Sequence, residues 1–229
     1  GVIGASCAVP LARAGLSVVV LDRGSAPGAG STARATGGFR AQFATAIDIR
    51  LSLLARDRLA TFRDDTGVDP GFVPVGYLWL ATRETDLAGL RAANALQHRE
   101  GLGEARLVDA SEIRAIQPAV SVDGVIGGAW CPSDGVLRPM EILRGYLETA
   151  ERLGARIHWA EPVTAFELDR DRIASVATPR ATYATGLVLD AAGPWAASVA
   201  RLAGVDIPVV PLRRQVAITE PTTAVSTTS

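Results

Sequence analysis

Gly1 and Gly4, spaced as G-x-x-G, open a run of small residues, and Asp22 closes the apolar stretch "LSVVVLD" that follows. A glycine turn entering a helix lets the backbone approach a pyrophosphate with no Cβ in the way. The helix start adds free N–H groups and a partial positive charge. A carboxylate about 20 residues further on, at the end of the next strand, is placed to accept hydrogen bonds from ribose hydroxyls. Together these features point to a dinucleotide site, although Gly1 and Gly4 supply only the last two glycines of the G-x-G-x-x-G signature. The plain alternative is an ordinary β-α-β start with a solvated Asp at a strand end.

The elements that must position these residues follow from periodicity. Residues 3–14 read as a helix of small side chains capped by Gly15, with Pro10 predicting a kink or irregular turn because it removes a backbone hydrogen bond. Residues 16–22 lack polar alternation and read as a strand covered on both faces, in the middle of a parallel sheet. The Gly-, Ser- and Thr-rich stretch after it is a long loop of the kind that carries function. Thr45 and Asp48 resemble a capping box, followed by Ile47, Leu51, Leu54, Ala55, Leu59 and Phe62 on one helical face.

From about Phe72 the character is α+β: a strand in "VPVGYLWLATR", a helix over 84–100, a short capped helix in "DASEIRAIQP" and a strand in "GVIGGAWCP". Pro139 begins a helix with Met140, Leu143, Leu147 and Ala150 on one face. Short strands return in "RIHWA", in the hairpin "VTAFELDRDRIASVAT" and in "GLVLDAAG".

Composition excludes several classes of function. The 229 residues are 48% hydrophobic and carry a net charge of −1, with every one of the 23 basic residues an Arg. That balance argues against general affinity for nucleic acid or an anionic membrane. Cys7 and Cys131 read as core residues rather than a disulfide framework, and His98 and His158 leave few members for a metal site or a Ser-His-Asp triad. No metal site is expected. No apolar run reaches the ~18 residues of a membrane span and no signal-type segment opens the chain, so a soluble, cytoplasmic protein is expected.

A nicotinamide-binding domain would continue with further βα units, whereas this chain enters a Gly/Ser/Thr loop and then an α+β insertion. In "GSTARATGGFRAQF" (30–43), "PSDGVLRP" (132–139), "EPVTAFEL" (161–168) and "LDAAGPWAASVARLAGVDIPVVPLRRQ" (189–215), together with Gly1, Gly4 and Asp22, it resembles the FAD-dependent D-amino acid oxidase superfamily. The likeness is to the branch with sarcosine oxidase, glycine oxidase and dimethylglycine dehydrogenase.

That resemblance implies roles. Gly1 and Gly4 would face the FAD pyrophosphate and Asp22, with Arg23 beside it, the adenosine ribose. Ser31, Thr32 and Arg34 would lie along the pyrophosphate, where hydroxyls and a guanidinium suit phosphate oxygens. Gly37 and Gly38 would pass close to the flavin ring, Val163 would hold the adenine through its backbone, and Gly193 with Trp195 would close over the nucleotide. Each has a structural alternative: Ser31 and Thr32 as turn formers, Arg34 as a solvated charge, Val163 as an ordinary strand residue, Trp195 as a core aromatic. Arg40 is the one substrate-binding candidate, able to pair with a carboxylate, and equally able to form a structural ion pair. No catalytic acid or base stands out. Relatives that attach FAD covalently through this loop carry a His there. None lies between Gly30 and Phe43, which implies non-covalent FAD.

The implied fold is α/β: an FAD-binding Rossmann-like parallel sheet of the glutathione-reductase type with an inserted α+β substrate domain, incomplete in this chain. The expected division is 1–73 and 136–209 for the FAD-binding domain, 74–135 for the first part of the substrate domain, and 210–229 for the start of the return into it. A first strand is expected before Gly1, and further substrate-domain strands and a last FAD-contacting segment after Ser229. The 229 residues alone are therefore expected to bind FAD poorly.

The implied reaction is oxidation of a C–N bond of a small amino acid or N-methylated amine by hydride transfer to the flavin, with an electron acceptor left open. The rivals are oxidation of a C–OH bond on the same fold, a nicotinamide-dependent enzyme, and a non-catalytic FAD-binding subunit or remnant acting through a partner chain.

Overall fold

The computed structural model describes residues 1–217 and 220. Along the chain run α1 (Val2–Arg13), β1 (Val19–Leu21), β2 (Gly38–Phe39), α2 (Ala46–Ala60), α3 (Phe62–Thr66), β3 (Tyr77–Ala81) and α4 (Glu84–Arg99). There follow β4 (Arg106–Val108), α5 (Ala110–Ile116), β5 (Gly127–Cys131), β6 (Gly135–Val136) and α6 (Pro139–Arg152). The described part ends with β7 (Arg156–His158), β8 (Ala165–Asp169), β9 (Arg172–Ala177), β10 (Thr182–Ala184) and α7 (Ala196–Leu202). Two compact units result, the first from Gly1–Thr36, Asp64–Pro70 and Pro139–Val216, the second from Gly37–Arg63 and Gly71–Arg138.

In the first unit the small side chains of α1 let it lie close to α6: Ala5 packs with Leu143 and Leu147, and Ala8 and Val9 with Ala150 and Ala155. The expected irregular turn at Pro10 is absent, because α1 runs unbroken to Arg13. Ala8, Val9 and Ala12, buried on both sides of the proline, hold the helix against the loss of one internal bond. β1 pairs in parallel with β7, Val19 opposite Arg156 and Leu21 opposite His158. Its three residues are half-buried rather than covered on both faces as expected, and β7 is its sole ladder partner among the described residues. The predicted hairpin forms as β8 and β9, and β10 extends it into an antiparallel sheet. The predicted strand in "GLVLDAAG" does not form; Leu187 and Leu189 are exposed. Among the described residues no strand pairs with it, and its side chains make local turns. Thr185 Oγ1 accepts from the Leu187 amide and Asp190 Oδ1 from that of Ala192. In α6, Leu143, Leu147 and Ala150 are buried as expected, but Met140 is half-exposed and lies over Gly28.

The second unit is built on an antiparallel sheet of order β3-β5-β4, with β2 and β6 as a separate short pair. Ala41, Ile49, Leu102, Ala105 and Cys131 form its core. The apolar face predicted for α2 is not the one it buries. Ile47, Leu51 and Leu54 are exposed and Ile49 is fully buried, with Leu53 packed beside it. Two apolar stripes share this helix, and a 3.6-residue period fits either one. Thr45 caps α2 by accepting from the Asp48 amide, but its hydroxyl also donates to the Asp48 carboxylate, so the reciprocal box is not made. At α5 the reciprocal box does form, between Asp109 and Glu112. Residues 37–63 group with the second unit because β2 pairs with β6, whereas the sequence division placed everything up to 73 in the first domain. The expected return over 210–229 reaches beyond the described residues at 218, 219 and 221–229.

Candidate functional site

The N-terminus of α1 is the centre of the first unit's polar site. The Val2 amide donates to Thr32 Oγ1 at 3.1 Å, and a Cβ on Gly1 would stand 3.4 Å from the same oxygen. Ile3 and Gly4 lie in the first turn, where no intrahelical acceptor exists for their amides. Asp22, at the end of β1, accepts from the Gly1 nitrogen through Oδ2 at 3.0 Å and from the Gly24 amide through Oδ1 at 2.8 Å. A carboxylate, a hydroxyl and unfilled helix-start amides thus converge where a pyrophosphate and a ribose would need them. The donor set fits a dinucleotide.

Other predicted residues border this centre. The segment before Gly193 runs against the helix start, a Cβ on Gly4 lying 3.5 Å from that of Ala191. Gly193 has φ +56°, a left-handed conformation that suits glycine, and opens the short 3-10 turn Gly193–Trp195. Trp195 is partly exposed, with the Arg23 guanidinium 4.1 Å from its ring centre, so these two residues form one cation–π platform. Ser31 is exposed immediately ahead of the 3-10 turn Thr32–Arg34. Arg34 is exposed and turns back on its own loop, donating to the carbonyls of Ala29 and Gly30. Val163 is half-buried just before β8, and no hydrogen bond engages its amide or carbonyl among the described residues.

Sequence reasoning missed the group that anchors the Val163 side. Glu161 is buried, its amide donates to the Asp22 carbonyl, and its Oε1 accepts from the Tyr183 hydroxyl at 2.7 Å and the Thr178 hydroxyl at 2.9 Å. His158 Nδ1 stands 3.5 Å from Oε2. The signal was an acidic residue inside the apolar run "IHWAEPV", which periodicity assigns no partner. The Tyr183 hydrogen bond, chiefly, holds the Glu161 carboxyl below its usual range. A group with a lowered folded pKa stabilises the fold above its unfolded value, and that contribution is lost as pH falls through the folded one. We expect the stability difference between wild type and Glu161→Gln to be full at neutral pH and to shrink on acidification toward and below the ordinary carboxylate range. A difference independent of pH in denaturant titrations would refute this assignment.

Gly37, Gly38 and Arg40 belong to the second unit. Gly37 has φ +81°, its carbonyl accepts from the Leu137 amide, and Gly38 pairs with Val136 across β2 and β6. Arg40 has no ion pair among the described residues. Its guanidinium sits 4.4 Å from the ring centre of Phe43, 5.0 Å from that of Trp79 and 5.6 Å from that of Tyr77, and its Nε is buried without a hydrogen-bond partner. A cation ringed by aromatic faces and lacking a carboxylate can receive one.

The parallel β1–β7 pair, the glycine-led helix and the carboxylate beside it define a dinucleotide-binding α/β protein with an α+β unit in its chain. More narrowly, the chain belongs to the FAD dependent oxidoreductase family (DAO), whose pattern matches residues 1–228. FAD is that family's cofactor. The chain is 28% identical to human mitochondrial sarcosine dehydrogenase over 228 residues, 96% of this chain and 24% of that protein. It is 27% identical to glycine oxidase from Geobacillus kaustophilus over 222 residues, 93% of this chain and 58% of that one. Among solved structures, L-proline dehydrogenase from P. horikoshii superposes with a TM-score of 0.83 at 26% identity, covering 90% of this chain and 54% of that one. The chain thus spans about a quarter of the mitochondrial relatives' length and just over half of the glycine oxidase. No helix among the described residues is long and apolar enough to cross a membrane.

Proposed function

We propose that this protein oxidises the C–N bond of a small amino acid or N-methylated amine, of the sarcosine or glycine type, with non-covalently bound FAD as hydride acceptor. When bound, the isoalloxazine supplies the two-electron acceptor, and the substrate leaves as an imine that hydrolyses. The observation that carries the choice of substrate is Arg40, a cation boxed by Phe43, Tyr77 and Trp79 and without an ion pair among the described residues. Arg40 receives the substrate's carboxylate and so fixes which end of the molecule faces the reacting centre. The half-buried aromatic rings lower the polarity around Arg40 and strengthen that pairing.

In the first unit the α1 amides and the Thr32 hydroxyl take the pyrophosphate, with Ser31 and Arg34 along it, and Asp22 takes the ribose. Val163 presents its backbone to the adenine, while Gly193 and the Arg23–Trp195 pair cover the nucleotide. Gly37 and Gly38 pass close to the flavin ring. We place the protein in the cytoplasm; the free thiols Cys7 and Cys131 are compatible with that as with any reducing compartment. The electron acceptor is left open, and a partner subunit is one way to supply it.

The decisive experiment is an anaerobic half-reaction on the natural-length protein, following flavin bleaching with sarcosine, dimethylglycine, glycine and proline against 2-hydroxy acids and glycerol phosphate. Bleaching by an amine is the expected result. Bleaching by hydroxy compounds alone would favour C–OH oxidation, and no bleaching until another subunit is added would favour a cofactor-carrying remnant. For the nucleotide side, Asp22→Ala is expected to weaken FAD about 10- to 100-fold in a fluorescence-quenching titration, the value of hydrogen bonds to a charged acceptor. An unchanged affinity would remove Asp22 from the site.

A further inference from the structure

Three buried side chains from three places in the second unit grip the segment that carries Arg40. Asp134, between β5 and β6 and fully buried, accepts from the Ala41 amide through Oδ1 at 2.7 Å. Gln97, on α4, donates to the Phe43 carbonyl at 3.0 Å. Gln42 donates outward to the carbonyl of Tyr77, itself a wall of the Arg40 box, at 2.8 Å. Each grip uses one polar atom and leaves the other over: Asp134 Oδ2, Gln97 Oε1 and Gln42 Oε1 are buried with no partner among the described residues. Three acceptors therefore stand in this interior against a single unmatched donor, Arg40 Nε.

Buried acceptors without donors are costly, and an ionised carboxylate among them is the costliest. A proton on Asp134 turns one of the three surplus acceptors into a donor, and Gln42, the residue after the Ala41 that Asp134 grips, carries another of them. We infer that Asp134 is a neutral carboxylic acid that acts as a positioning residue for Arg40, gripping Ala41 through Oδ1 and donating to the Gln42 side chain through Oδ2. Burial pushes the Asp134 carboxyl up from its ordinary value, in the same direction. The consequence for Arg40 rests on the reading that Arg40 receives the substrate carboxylate.

The prediction separates Asp134→Asn from Asp134→Ala. An Asn keeps both the acceptor for Ala41 and a donor toward Gln42, so it reproduces a neutral acid but not a carboxylate. In the natural-length holoprotein, infrared difference spectra of wild type minus Asp134→Asn are expected to show the carbonyl stretch of a protonated acid, shifted in D2O. With the amine that reduces the flavin, Asp134→Asn is expected to stay within about twofold of wild type in KM. Asp134→Ala is expected to raise KM about tenfold with a nearly unchanged limiting reduction rate, as loss of uniform binding requires. Absence of the acid band, or an Asn variant as impaired as the Ala variant, overturns the inference. If no amine reduces the wild-type flavin, the substrate reading fails while the infrared measurement still decides the protonation of Asp134.

Discussion

Arg40→Met raises KM for a carboxylate-bearing amine about 100-fold or more, with FAD content and the oxidised flavin spectrum unchanged. The size follows from truncating one partner of a buried charge pair, which costs about 3 kcal/mol. Met is the informative replacement because it keeps an apolar stem among Phe43, Tyr77 and Trp79, so the box is not emptied along with the charge. Arg40→Lys recovers only part of the loss, since a single ammonium cannot form the two parallel bonds of a guanidinium fork and stacks less well on the rings. The FAD expectation rests on the residues assigned to the pyrophosphate and ribose, which lie in the first unit, whereas Arg40 shares the second only with Gly37 and Gly38 of the assigned set. Steady-state kinetics alongside the flavin absorbance per mole of protein test both halves. Equal loss with amines that lack a carboxylate would show that Arg40 supports the fold of the box and does not read the substrate.

Gly128→Ala is expected to cost about 3 kcal/mol or more and to lower the melting temperature of the second unit by many degrees. Gly128 lies in β5, the central strand of the three-stranded sheet, opposite Leu80 on one side and Val108 on the other. A Cβ there would come 2.3 Å from the carbonyl oxygen of Trp79, with Ile113 and Val108 side chains at 3.3 Å. The obstacle is backbone, which cannot rotate away as a side chain can. Relief requires parting β3 from β5, and β3 carries Tyr77 and Trp79, two walls of the Arg40 box. The variant should therefore lose substrate affinity even at temperatures where it stays folded. A calorimetric scan matching wild type would mean that the sheet yields more easily than this geometry allows.

The nucleotide half of the site was legible because its chemistry is local. Gly1, Gly4 and Asp22 lie along the α1–β1 stretch, whose spacing is set by the helix and strand themselves, and the structure puts Asp22 and Thr32 at that helix start. Arg34 was less legible: its side chain closes the loop in which it lies, a choice set by the turn rather than by residue type. The face of α2 was misread for a different reason. Ile47, Leu51 and Leu54 and the pair Ile49 and Leu53 all have helical spacing, and the neighbours in the core select between them.

By itself the sequence determined α1, α2, α4, α5 and α6, the caps at Thr45 and Asp109, and that a glycine-led helix is followed by a carboxylate at a strand end. Those properties depend on residues near one another in the chain. Only the tertiary structure decided that Arg40 is ringed by aromatic residues instead of paired with an acid. It alone decided that Asp134 and Gln97 grip the segment next to Arg40, and that Glu161 meets Tyr183 and Thr178. Each of these joins residues from separate elements, and burial sets their energies. A charge or a carboxyl acquires its character from what removes it from water, and linear spacing does not carry that information.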